Sequence, residues 1–212
     1  QSMECAKLDA CNTALSNIHA AVAADHIVND KIRIGVISFS DTAQVLLPLS
    51  KMTDVVDFPG LVVKGGTNYG NAFTCLKNTI QTDIADLKKG GAKVNRPIVF
   101  FISDGEPTDT NWKAAHAQVA DKTWPFSPHI ISFGLSGAQA DTIREVATQV
   151  DKKGKSFAYL ADDNADPGAV LTEIFRELIN GCDEKIENVG ITVESKPAVI
   201  SRTNDSDDED SK

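Results

Sequence analysis

The chain has 212 residues, 42% of them apolar, and a formal net charge of −9. That size and apolar content suit a single hydrophobic core, and no run approaches the ~20 apolar residues needed to span a bilayer. The acidic balance argues against nucleic acid as a partner, because phosphate contacts demand clustered Lys and Arg.

In chain order, the first element is a helix. Leu8, Cys11, Leu15, Ile18 and Val22 fall three or four residues apart, giving one apolar face with no strand leading into it. A β-rich run over 31–39 carries Ile32, Ile34, Val36, Ile37 and Phe39 and ends at Ser40-Asp41. Gln44 to Leu49 follows closely with Pro48 near its end, consistent with an antiparallel edge hairpin, where Pro is tolerated. Lys64-Gly65-Gly66-Thr67-Asn68-Tyr69-Gly70 then opens a helix over 69–89, with Phe73, Leu76, Ile80, Ile84 and Leu87 on one face.

After a Gly90-Gly91 break, Ile98 to Ile102 is a five-residue apolar run, read as a strand buried on both faces. It stops at Ser103-Asp104-Gly105, at the carboxyl end of a strand, where open α/β sheets keep their ligand sites. A helix over about 110–122, a strand over 129–134, a helix over 139–150, a short strand over 157–160 and a helix over 167–180 complete the alternation. Pro167 sits at the first turn of the last helix. Ile191 and Val193 alternate with polar residues, so 182–203 is an extension with moderate strand character. The segment 204–212 holds Asp205, Asp207, Asp208, Glu209 and Asp210, an acidic block that reads as a solvated tail. Strands alternating with helices of this length imply a three-layer, doubly wound α/β domain over 1–181 with a mostly parallel sheet.

Two residues carry candidate chemistry. Asp104 stands on a rigid strand end, and Thr67 offers a hydroxyl after two glycines that permit close approach. A strand-end carboxylate with a loop hydroxyl is a minimal hard-oxygen set for Mg²⁺, which keeps several waters and takes few protein ligands. Each residue has a plainer alternative. Asp104 would cap the helix starting near Thr110, and Thr67 would cap the helix starting near Tyr69.

Enzymatic readings find little support. His19, His26, His116 and His129 fall in no nucleophile or zinc spacing, and neither a Gly-x-Ser-x-Gly elbow nor a Gly-Lys-Ser/Thr phosphate loop is present. The remaining enzymatic alternative makes Asp104 a phosphoryl-accepting nucleophile beside Mg²⁺, with Glu106 as the second acid two residues on. Cys5, Cys11, Cys75 and Cys182 show no Cys-x-x-Cys spacing, so neither a zinc site nor a redox pair is indicated. Cys11 and Cys75 lie on or beside apolar helix faces and read as buried thiols, which favours a reducing cytoplasm.

Gly65-Gly66-Thr67-Asn68 followed by Phe101-Ile102-Ser103-Asp104-Gly105-Glu106-Pro107-Thr108-Asp109 resembles a von Willebrand factor A domain, most closely the bacterial tellurium-resistance TerY-like group. The resemblance runs from the first helix to the helix ending near Asn180 and implies a Rossmann-like fold with a metal-ion-dependent adhesion site. In the family that site combines an Asp-x-Ser-x-Ser motif, a loop Thr and a second Asp. It assigns Ser2, Thr67 and Asp104 as ligands of Mg²⁺, with Mn²⁺ or Ca²⁺ as substitutes, and leaves one coordination position for a carboxylate of a partner protein. The implied setting is a bacterial stress-response complex with protein kinase or phosphatase partners.

Gln1-Ser2-Met3 matches only the end of the first motif. Its Asp, its first Ser and the central strand before them are missing, so the expected sheet lacks that strand unless the 189–193 segment fills the slot. A vacated central position leaves rows of unpaired backbone groups, which predicts an unstable or aggregation-prone chain. Alternatives to the interaction module are a scaffold with an inactive metal site and the Asp104 phosphoryl-transfer enzyme.

Overall fold

Ile98–Ser103 (β3) and His129–Gly134 (β4) form the parallel centre of the fold, paired residue for residue from Ile98 opposite His129 to Ser103 opposite Gly134. In the computed structural model the described residues are 9, 12–13, 15–17, 20, 32–62, 65–135, 137–149, 156–160, 169, 172 and 201–202. Before β3 come Arg33–Phe39 (β1), Ala43–Lys51 (β2) and the helix Tyr69–Lys89 (α1). After it, Trp112–Ala120 (α2) precedes β4, and Ala140–Val146 (α3) precedes Ala158–Leu160 (β5) and Ser201–Arg202 (β6). The sheet order is β3-β4-β5-β6, with β5 parallel to β4 and β6 antiparallel at the edge. Parallel strands joined through helices make this the expected mixed α/β architecture.

β4 is apolar on both faces, and all six of its residues are buried, as a strand under helices should be. β3 differs from expectation: only Phe101 and Ser103 are buried, and the rest are half-buried. β1 and β2 form a separate antiparallel hairpin, and no strand among the described residues joins it to β3. The 189–193 segment, proposed above for that slot, lies outside the described residues, as do most of the first helix and the helix over 167–180.

The main core gathers Tyr69, Ala72 and Phe73 of α1, Phe101 of β3, Trp112 and Val119 of α2, Ile130 of β4 and Val146 of α3. Its centre is aromatic: Phe101 stacks on Phe73 at 5.2 Å and meets Tyr69 edge-on at 4.8 Å. Such pairs contribute about 0.5–1.5 kcal/mol beyond the area they bury. A second cluster of Met52, Val55 and Phe58 packs against Ile34, Val36 and Leu47 of the hairpin and against Leu15.

α2 and α3 are shorter than expected. α3 stops at Val146 because Thr148 leaves the helical path to join the start of β4. Its backbone N–H donates to the Ile130 carbonyl at 3.0 Å, and its hydroxyl accepts from the Ile130 N–H at 2.7 Å. α2 begins only at Trp112, preceded by Asn111, whose side chain makes no capping bond.

Candidate functional site

At the carboxyl end of β3, Ser103 and Asp104 are both buried, at 4% and 5% exposure. The chain turns there within one residue. The Gly105 N–H donates to the Ser103 hydroxyl at 3.3 Å, and the Leu135 N–H donates to the Ser103 carbonyl at 2.8 Å, continuing the ladder to β4. From the start of α1, the Tyr69 hydroxyl donates to the Gly105 carbonyl at 2.9 Å. Burial pushes the Tyr69 pKa up to about 12; the Ser103 hydroxyl pulls it down, while the charges of Glu106 and Asp104 add to the rise. The phenol therefore stays protonated and holds the Asp104-Gly105 turn as a donor. On the other side, Gly137 adopts φ 100°, and a Cβ there would approach the Asp104 carbonyl to 3.1 Å.

The Gly65–Asn68 loop packs directly against this turn. The Thr108 N–H donates to the Thr67 carbonyl at 2.8 Å, and the Asn68 N–H donates to the Ser40 carbonyl at the end of β1, also at 2.8 Å. Thr67 is buried at 6% exposure. The Asp41 carboxylate accepts from the Gly66 N–H at 2.8 Å, and the Asn71 side chain donates to the Asp41 carbonyl at 2.7 Å. Three chain segments, 40–41, 65–71 and 103–109, thus meet at one end of the sheet.

The capping alternatives for the two candidate ligands are not what the structure shows. Asn68, not Thr67, caps α1 by accepting from the Asn71 N–H at 2.7 Å. Asn111, not Asp104, occupies the position before α2. The structure brings Thr67 and Asp104 onto adjoining loops, while Ser2 lies outside the described residues. Among the described residues, no group of three or more His, Cys, Asp or Glu is placed to hold a metal ion.

Sequence reasoning missed the partners of the other acids. Asp109 accepts from the Tyr69 and Gly70 N–H groups at 2.9 and 3.0 Å, so it caps α1 from across the site. Glu106 accepts from the Gln139 N–H at 3.1 Å and the Thr142 hydroxyl at 2.7 Å, fastening the first turn of α3. The only local signal was the acid-rich run 104–109 at a strand end.

A model of the von Willebrand factor type A domain matches residues 1–106. The chain belongs to this family. Two solved structures resemble this von Willebrand factor type A chain. One is the conserved hypothetical protein BatB from Bacteroides thetaiotaomicron, 15% identical, covering 84% of this chain and 80% of that one, with a TM-score of 0.41. The other is an aerotolerance-related membrane protein from Bacteroides fragilis, carrying multiple mutations to serine. It is 14% identical, covering 85% of this chain and 81% of that one, with a TM-score of 0.38. No curated protein matches the chain. Among the described residues, no helix is long and apolar enough to cross a membrane.

Proposed function

We propose that this von Willebrand factor type A chain is a metal-ion-dependent protein-interaction module. Thr67 and Asp104 hold Mg²⁺, Ser2 is the further ligand implied by the family pattern, and a partner protein supplies a carboxylate. The observation that carries the reading is the junction of the two loops. The Thr108 N–H ties the backbone of Thr67 to the segment that starts with Asp104, and both side chains are withdrawn from solvent. The donor set suits the ion: one carboxylate and hydroxyl oxygens are hard ligands, and Mg²⁺ takes few of them from protein. When bound, the cation supplies an electrophilic position that an acidic side chain of a partner completes. Neutral hydroxyls preserve that electrophilicity, which a second or third carboxylate would reduce.

Binding is favoured over phosphoryl transfer because Glu106, the second acid of that alternative, has both oxygens engaged by Gln139 and Thr142. The finer setting rests on the resemblance of 104–109 to TerY-like sequences. It is a bacterial stress-response complex of the tellurium-resistance kind, in the cytoplasm, with a kinase or phosphatase partner.

Calorimetric titration of the 212-residue chain with Mg²⁺ tests the reading. Asp104→Asn keeps the shape of this buried side chain and removes its charge, and Thr67→Val removes the hydroxyl. Both variants should lose Mg²⁺ binding and Mg²⁺-dependent partner binding while keeping the wild-type circular dichroism. Wild-type affinity in Asp104→Asn would overturn the assignment.

A further inference from the structure

We propose that Asp41 is a positioning residue for the cation site, acting through the Thr67 loop; the inference rests on the metal-binding reading above. Asp41 lies in the β1–β2 turn, 26 residues before Thr67 by numbering, and no local pattern links the two. In the fold its Oδ1 accepts from the Gly66 N–H at 2.8 Å, and its backbone carbonyl accepts from the Asn71 side chain at 2.7 Å. These bonds bracket Thr67, one on the residue before it and one in the first turn of α1. The Asn68 N–H bond to the Ser40 carbonyl adds a third tie to the same turn.

The two glycines are shaped around this carboxylate. A Cβ on Gly65 would lie 1.9 Å from Asp41 Oδ2, and one on Gly66 would lie 2.7 Å from Oδ1. Gly65 also adopts φ 52°, which disfavours a side chain. Gly66 has no such backbone requirement, so its lack of a Cβ serves close approach to Asp41 and, at 3.3 Å, to the Thr108 hydroxyl. The Gly65-Gly66 pair therefore admits the Asp41 clamp, and the clamp holds the Thr67 side of the site against the β1–β2 turn. Residues that orient metal ligands typically alter affinity about 10- to 100-fold when removed.

The test is Mg²⁺ calorimetry on the full chain, with amide hydrogen exchange at Gly66 measured alongside. Asp41→Ala should weaken Mg²⁺ binding about tenfold, at the lower end of that scale, and speed exchange at Gly66. Asp41→Asn keeps an acceptor oxygen for the Gly66 N–H and should retain affinity within about threefold. Gly66→Ala forces the Asp41 carboxylate aside and should match Asp41→Ala. The double variant should be no weaker than either single one, because the two changes break the same link.

Asp41→Ala binding Mg²⁺ within twofold of wild type would overturn the role. So would an Asn variant as weak as Ala, because Asp41 would then act through charge instead of the clamp, and so would additive losses in the double variant. Wild-type protein that binds no Mg²⁺ would remove the underlying reading itself, an outcome distinct from a silent Asp41→Ala.

Discussion

Asp109 shows how a single side chain joins two loops of this site. Its two oxygens satisfy the Tyr69 and Gly70 amides, which have no partner within α1, and Asn68 satisfies the next one, at Asn71. The charge also sits at the positive end of a 21-residue helix. Gly70 is fitted to it, since a Cβ there would stand 2.6 Å from Asp109 Oδ2. Asp109→Ala should therefore cost about 0.5–2 kcal/mol, the range for a lost helix cap. For a chain of this size that lowers the melting temperature by about 2–4 °C per kcal/mol. A thermal melt checks it, and an unchanged midpoint would show that water replaces the carboxylate at no cost. α2, by contrast, starts without a side-chain cap at Asn111.

At the scale of elements, the strands β3 and β4 and the helix α1 were legible from their apolar spacing, although the two-faced burial expected of β3 is met only by β4. The placement of Thr67 on the loop that opens α1 and of Asp104 at the end of β3 was legible too, from a glycine pair and from an apolar run that stops at a polar turn. The end of α3 was not, because Thr148 bonds to Ile130, a contact distant in sequence. The capping partners of Asp41, Glu106 and Asp109 lie 25 to 40 positions away, beyond any local pattern. α2 carries a further consequence. His116 is wedged edge-on against Phe73 at 4.9 Å and lies 2.8 Å from the Val146 carbonyl. Burial lowers its pKa, opposed by the Val146 carbonyl and the Glu145 charge; burial and Arg96 likewise lower the pKa of His129. The unfolded chain then takes up protons near the ordinary histidine value, about 6.5, before the folded chain does. Stability from these groups is present above that pH and is lost as pH falls through their lower folded values. Melting temperature should decline from pH 7.5 toward pH 5, less steeply in His116→Gln. An identical slope in that variant would assign the effect to other groups. Asp83, raised by burial and by Asp86, works in the opposite direction at lower pH.

Among the described residues of the molecule, the strands fall into two sheets. Among the described residues, β1–β2 and β3–β6 share no strand pairing, so the hairpin is held by side chains and loop bonds. Phe39 stacks on Phe101 at 5.2 Å and meets Tyr69 edge-on at 5.9 Å. The Asn68, Asn71 and Gly66 bonds to Ser40 and Asp41 all lie at the end that carries the candidate site. None of the seven residues of β1 is buried, whereas all six of β4 are. A region with fewer buried contacts opens at lower free energy than the global transition. Native-state hydrogen exchange should therefore show β1 amides opening more readily than those of Ile130 to Phe133 in β4. Phe39→Ala should widen the gap, with a cost of about 2 kcal/mol, below the 3–5 kcal/mol typical of a fully buried Phe. Equal protection in β1 and β4, falling together in the variant, would mean that the two sheets unfold as one unit. If the gap is found, the Asp41 bonds tie the Thr67 loop to the less protected hairpin, while Asp104 follows the end of β3, which pairs with β4. On the proposed metal-binding reading, Mg²⁺ should then raise protection in β1 more than in β4, because the hairpin opens at lower free energy.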